Sequence, residues 1–184
     1  MFDAARGGKD LLVGGEGDDE MRGDAATMND SARGGNDVLC GGEGDDTLSG
    51  DAQFMSGSAN RGGDDVLDGG EGDDILWGDA EFRNEDATGG ADRFVLALGS
   101  DHDEIGDFRP ADGDKIDLAA IQTLSWEDLD TNGNDVLDDG DDNVSVGSGT
   151  VIDYGAAAGS AAGEDVVTVA GVTGLMEADF VFFA

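Results

Sequence analysis

Seven aspartates, Asp10, Asp19, Asp37, Asp46, Asp65, Asp74 and Asp92, each follow a glycine-rich turn and stand two residues before a large apolar residue. The fullest copies of the pattern are GGEGDDEMR from Gly14, GGEGDDTLS from Gly41 and GGEGDDILW from Gly69, 27 and 28 residues apart. Shorter copies begin at Arg6, Arg33 and Arg61, and a last one at Gly89. Carboxylates repeated in register invite one kind of chemistry. On turns stacked at strand spacing they lie about 4.7–4.9 Å apart and repel by roughly 3–4 kcal/mol at an effective dielectric near 20. A divalent cation between the turns reverses that sign. Calcium takes about six to eight oxygens at roughly 2.3–2.6 Å, whereas magnesium demands a tighter octahedron and transition metals favour His or Cys. The carbonyls of Gly15, Gly17, Gly42, Gly44, Gly70 and Gly72 are the expected companion ligands, so several calcium ions are the expected cofactor.

The elements that position these groups follow from the same residues. Glycines give the turns positive φ and close backbone approach. The three residues after each aspartate form a short strand whose middle residue (Leu12, Met21, Leu39, Leu48, Leu67, Leu76 or Phe94) points inward. Two nonapeptides per coil predict stacking at an 18-residue spacing, pairing Asp19 with Asp37, Asp46 with Asp65 and Asp74 with Asp92. The segments 26–32, 53–60 and 81–88 are then expected as edge loops, and Asp24, Asp51 and Asp79 first as solvated turn residues and second as further calcium donors. Cys40 should face outward.

The pattern G-G-x-G-x-D-x-U-x, with U large and apolar, resembles the calcium-binding repeat of RTX proteins. That resemblance implies an all-β fold, a calcium-bound parallel β-roll over residues 1–98, followed by a small β-rich capping and secretion module over 99–184. Residues 89–118, with Asp103-Glu-Ile-Gly-Asp-Phe108 and Gly113-Asp-Lys-Ile-Asp-Leu118, are similar to the segment after the repeats in serralysin-type proteins and to type I secretion target domains. Repeat periodicity ends at Leu96. Ile105, Phe108, Ile116 and Leu118 are suited to cap the open end of the solenoid.

A second acidic stretch, 128–141, is similar to an EF-hand or dockerin-like loop. Asp130, Asn132, Asn134, the Val136 carbonyl, Asp138 and Asp141 fall at ligand positions and Leu137 at the apolar one. Asp135 departs from the glycine expected there; a register from Asp128 would put Gly133 at that position instead. A short helix capped by Ser125 precedes the loop. Beyond it, 144–146, 150–154, 166–169 and 179–183 read as strands and 155–163 as a small-residue loop. The ending, acidic residues followed by Phe180-Val-Phe-Phe183, resembles an uncleaved type I export signal.

Composition bounds the function. The formal charge is −35, from 44 acidic against 9 basic residues, which disfavours nucleic acid and anionic membrane surfaces. No apolar run approaches the roughly 20 residues of a membrane helix, and no N-terminal secretory leader is expected. The single cysteine forbids an internal disulfide. His102 is the only histidine, G-x-S-x-G, H-E-x-x-H and P-loop motifs are missing, and no enzyme is expected. The expected protein is extracellular, a calcium-binding structural chain exported unfolded by the type I machinery, self-assembling end to end into a filament or surface layer. The alternative is the C-terminal export and folding module of a larger secreted hydrolase, toxin or adhesin.

Overall fold

Glycine spacing sets the coil. In the computed structural model, which describes residues 5–183, Gly42 has φ +125° and pairs with Gly15 on the coil before it. A Cβ on Gly63 would overlap the Gly35 carbonyl oxygen. Only glycine lets backbones approach so closely. Residues 1–4, the start of the expected β-roll, and Ala184, the last residue of the export tail, lie outside the described residues.

Three coils run in order: β1 (Leu11–Glu16), β2 (Glu20–Arg22) and β3 (Ala25–Met28); β4 (Val38–Glu43), β5 (Thr47–Ser49) and β6 (Ala52–Met55); β7 (Val66–Glu71), β8 (Ile75–Trp77) and β9 (Ala80–Arg83). Then come β10 (Arg93–Val95), β11 (His102–Ile105), β12 (Lys115–Asp117), α1 (Trp126–Leu129), β13 (Val144–Val146), β14 (Gly149–Asp153), α2 (Tyr154–Ala157), β15 (Val166–Ala170) and β16 (Phe180–Val181). Strands stack into three sheets: β1-β4-β7-β10-β12-β16, β2-β5-β8-β11-β15-β14-β13, and β3-β6-β9. Pairing is parallel throughout except for β15-β14-β13.

The coil therefore has three sides, not two. Leu12 pairs with Leu39 and Leu39 with Leu67, while Met21 pairs with Leu48 and Leu48 with Leu76. The expected 18-residue stacking is overturned: Asp19 does not stack on Asp37, nor Asp46 on Asp65, nor Asp74 on Asp92. The segments expected as loops supply the third side. Met28, Ala32, Ala52, Met55, Ala80 and Ala87 form a buried cluster of their own, which removes those apolar groups from water and holds the third sheet in register.

The inward residues fulfil their expected role. Leu39, Leu48, Leu67, Leu76 and Phe94 are fully buried between the first two sheets, and Leu12 packs against them partly buried. Burial of each large side chain stabilises by about 1.5–3 kcal/mol. Coiling also outlasts the repeat pattern at Leu96. β11 pairs with β8, and β12 pairs with β10, so strand pairing runs across residues 98–99. Pro110 lies in a tight turn, with the Asp112 N–H donating to the Arg109 carbonyl at 3.0 Å, where a fourth third-sheet strand would otherwise start. Ile105, Phe108, Ile116 and Leu118 share one continuous core with Trp126, Leu129, Leu137, Ile152, Tyr154, Val167, Val169, Leu175 and Phe180. The C-terminal part thus closes the solenoid with apolar surface, and the antiparallel pair β13-β14 ends the second sheet. Two expectations here are corrected: α2 occupies the start of the small-residue loop, and the last strand is only Phe180–Val181.

Met55 distinguishes a third side from a loop. Met55→Ala should cost about 2–5 kcal/mol in denaturant unfolding of the calcium-loaded protein, whereas a surface-loop change stays within about 0.5 kcal/mol.

Candidate metal centre

Two rows of aspartates climb the solenoid at the coil spacing. In the first, the backbone N–H of Asp10 donates to Asp37 Oδ1 at 2.7 Å, Asp37 to Asp65 at 2.6 Å, Asp65 to Asp92 at 3.0 Å and Asp92 to Asp114 at 3.0 Å. In the second, Asp19 donates to Asp46 at 2.7 Å, Asp46 to Asp74 at 2.8 Å and Asp74 to Asp103 at 3.2 Å. All seven aspartates singled out from the sequence lie on these rows. From Asp37 and Asp46 onward, each carboxylate therefore spends one oxygen on the coil below.

The other oxygen is left over. Oδ2 of Asp37, Asp46, Asp65, Asp74 and Asp92 is buried and without a hydrogen-bond partner. A buried charged oxygen left unpaired is costly, so five of them in register call for a cation. The donors on offer are all hard oxygens, which suits calcium. Gly15, Gly17, Gly42, Gly44, Gly70 and Gly72 all take positive φ in the turns. Carbonyl oxygens of Gly50, Gly69 and Gly78, on the neighbouring coil, also stand beside Oδ2 of Asp37, Asp46 and Asp65.

Sequence reasoning missed several members. Asp24, Asp51 and Asp79, expected first as solvated turns and only second as calcium donors, form a third row with Asp107; Asp51 is fully buried and Asp79 nearly so. They accept N–H groups from Gly35, Gly63 and Gly90, and Asp107 accepts from Gly78, Asp79 and Ala80. The signal was present as a repeated Gly-Asp pair at Gly23, Gly50, Gly78 and Gly106. Asp103 and Asp114 keep the aspartate-x-apolar spacing after the glycines are lost, which marks them as row members. Oxygens of Asp10, Asp24 and Asp37 lie within 4.8 Å of one another.

Burial raises the carboxyl pKa values of Asp37, Asp51, Asp65, Asp79 and Asp92, and neighbouring carboxylates push the same way. Burial likewise lifts Asp74 and Asp114 to about 6 and Asp103 to about 8. Without a cation the solenoid resists the charges it must carry at neutral pH.

The acidic loop is set apart from the rows. Asp130 accepts the N–H groups of Gly133, Asn134 and Asp135. Asp141 accepts from Asn132 and Asp138. Asp135 has φ +67° and so adopts the turn that glycine would supply. Asp128 is occupied by Ser125, whose hydroxyl donates to it at 2.7 Å. Gly133, the turn residue of the register from Asp128, takes a positive φ as well, +70°. Leu137 is fully buried, and its N–H donates to the Leu175 carbonyl at 2.8 Å. The Asn134 side chain and the Gly140 N–H hold the Asp138 carboxyl below its ordinary value. Cys40 is half-buried, and Trp77 packs over Gly106. His102 is an exposed side chain at the start of β11, 3.5 Å from Asp73.

Fold and site together define a parallel β-solenoid whose coils carry stacked carboxylates. The family model of the RTX calcium-binding nonapeptide repeat, a unit of four copies, matches residues 5–26, 31–53 and 61–81. Over those stretches the chain carries calcium-binding RTX repeats. No curated protein matches the chain.

The raised pKa values fix a pH dependence. A carboxyl whose pKa is higher folded than unfolded takes up protons on folding. The metal-free fold is thus penalised progressively as pH rises from the ordinary value of 3.8 through about 6 for Asp74 and Asp114 and about 8 for Asp103. Acidifying the chelated protein from neutral pH towards pH ~4 should increase its β signal in circular dichroism. Calcium affinity should fall over the same range, because binding displaces protons.

Proposed function

We propose that this chain is a calcium-folded extracellular module, exported unfolded by the type I secretion machinery and set in shape by external calcium. The carrying observation is the set of five buried, unpartnered Oδ2 atoms. Sites of the extracellular class bind at roughly 10⁻⁴–10⁻³ M, so the cytosol leaves them empty and binding energy becomes folding energy outside. Export in the unfolded state is supported by the C-terminal tail. Phe180 and Val181 pair with β12 and Phe180 is buried while Phe183 stays exposed, so the start of the tail is accessible to a transporter only before folding. No helix among the described residues is long and apolar enough to cross a membrane. The role we assign is structural and ion-binding, with no catalysis.

The Asp130–Asp141 loop is a separate calcium site in this reading, with Asp130, Asn132, Asn134, Asp138, Asp141 and the Val136 carbonyl as ligands. Terbium bound there should be sensitised by Trp126, at the start of the adjoining helix. Asp141→Ala should abolish that luminescence and leave the β signal of the solenoid.

The first coil favours a further role. β1, β2 and β3 are edge strands of all three sheets, and Leu11 and Val13 are 71% and 68% exposed there. Unpaired edges with apolar side chains template further pairing, either with a second copy or with preceding coils of a larger secreted protein. Titrating calcium into the chelated chain should raise β signal cooperatively near the millimolar range. Light scattering that rises with it supports self-assembly; monomeric folding supports the module of a larger protein. A flat dichroism signal throughout rules out calcium-driven folding.

A further inference from the structure

The third side of the coil is inserted into a calcium turn. In the continuous turn from Gly41 to Asp46, two oxygens crowd the outer face of the Gly41 α-carbon: Oδ2 of Asp46, and the carbonyl of Gly69 one coil on. Gly14 meets the same pair, Asp19 Oδ2 and the Gly41 carbonyl. Gly23 meets Asp37 Oδ2 and the Gly50 carbonyl, and Gly50 meets Asp65 Oδ2 and the Gly78 carbonyl. The surroundings match, yet β3 lies between Gly23 and Asp37, and β6 between Gly50 and Asp65. These are split turns, rebuilt in space from two passes of the chain. Residues 27–30 and 54–60, within the excursions, fall outside the match to the RTX repeat.

The split turns also differ in charge. The residue after Gly14 or Gly41 is a glycine, whereas after Gly23 and Gly50 it is Asp24 and Asp51. Asp24 accepts the Gly35 N–H at 2.8 Å, and Asp51 accepts the Gly63 N–H at 3.0 and 3.1 Å. In the first split turn, oxygens of Asp10, Asp24 and Asp37 come within 4.8 Å of one another. Independently of that clustering, Oδ2 of Asp37 and of Asp65 is buried and unpartnered at the two turns, and each residue is only 1% exposed.

We propose that the two split turns are calcium sites in their own right, with Asp24 and Asp51 each contributing a carboxylate that the continuous turns lack. This rests on the calcium reading above and assigns ligands beyond the nonapeptide pattern. In the third split turn, Gly78 to Asp92, the carboxylate corresponding to Asp24 and Asp51 is already paired by a side chain, while Asp92 Oδ2 stays unpartnered. Arg83 stands in register with Met55, which pairs with Met28. Its guanidinium, 4% exposed, pairs with Asp79 and reaches Asp112 at 3.3 Å. The chain supplies its own cation to Asp79 and leaves Asp24 and Asp51 to calcium.

Calcium stoichiometry of the full chain by equilibrium dialysis, with circular dichroism on the same samples, tests this. At the calcium level that just saturates the wild type, Asp24→Asn and Asp51→Asn should each bind one ion fewer while the β signal persists. Arg83→Met, which restores the residue of the other coils, should bind one more. Unchanged stoichiometry in both asparagine variants overturns the proposal, as does an Arg83→Met protein that gains no ion, whatever the asparagine variants do. A wild type that binds no calcium sinks the calcium reading and this inference together, whereas calcium binding unaffected by the variants sinks this inference alone.

Discussion

The half-satisfied carboxylate governs this molecule. Asp37, Asp46, Asp65, Asp74 and Asp92 each use Oδ1 to accept an N–H from the preceding coil and hold Oδ2 buried with nothing to bind. The first bond fixes the stacking, and the second oxygen makes that stacking conditional. Row neighbours repel by roughly 3–4 kcal/mol per pair at strand spacing and moderate dielectric, comparable to what one buried leucine contributes. The inner column of Leu39, Leu48, Leu67 and Leu76 is narrow, and it must offset both this repulsion and the ordering of a glycine-rich chain. Cations shift the balance because they remove the repulsion and fill the unpaired valence at once.

The same constraint explains where the molecule changes character. From the first coil towards the C-terminus, the interior passes from single leucines between acidic turns to Phe94, Phe108, Trp126, Tyr154 and Phe180 in one continuous core. The C-terminal part has apolar area enough to hold by burial, and its sheets end in an antiparallel pair. The first coil ends in open edges and exposed Leu11 and Val13. Dependence on bound cations is therefore graded along the axis, greatest where the core is thinnest.

Much of this was legible because a side chain fixed in register leaves a periodic trace. The inward residues and the seven repeat aspartates could be singled out one by one, but not which aspartate stacks on which. Coil length could not, although the 27- and 28-residue spacing of the full copies states it. The third strands hid because β6 buries Ala52 and Met55, three residues apart, instead of alternating positions. A strand folded around a corner of small residues does not show a period of two. Asp103, Asp107 and Asp114 were obscured for a related reason: their turns lost the glycines, and only the aspartate-x-apolar and Gly-Asp spacings survived.

Arg83 shows why composition alone misleads about such a chain. A formal charge of −35 reads as self-repulsion throughout, but the charge is not spread evenly. Part of it is gathered onto rows where each carboxylate is bound on one side by backbone N–H groups and faces carbonyl oxygens on the other. That geometry favours a compact cation over a long, flexible side chain, which would have to lie inside the coil to reach it. Arginine meets the requirement only where the solenoid stops, since the coil after β9 has no third strand to occupy the space its guanidinium needs. In the interior coils methionine holds that register, so neutralisation there has to come from outside the chain.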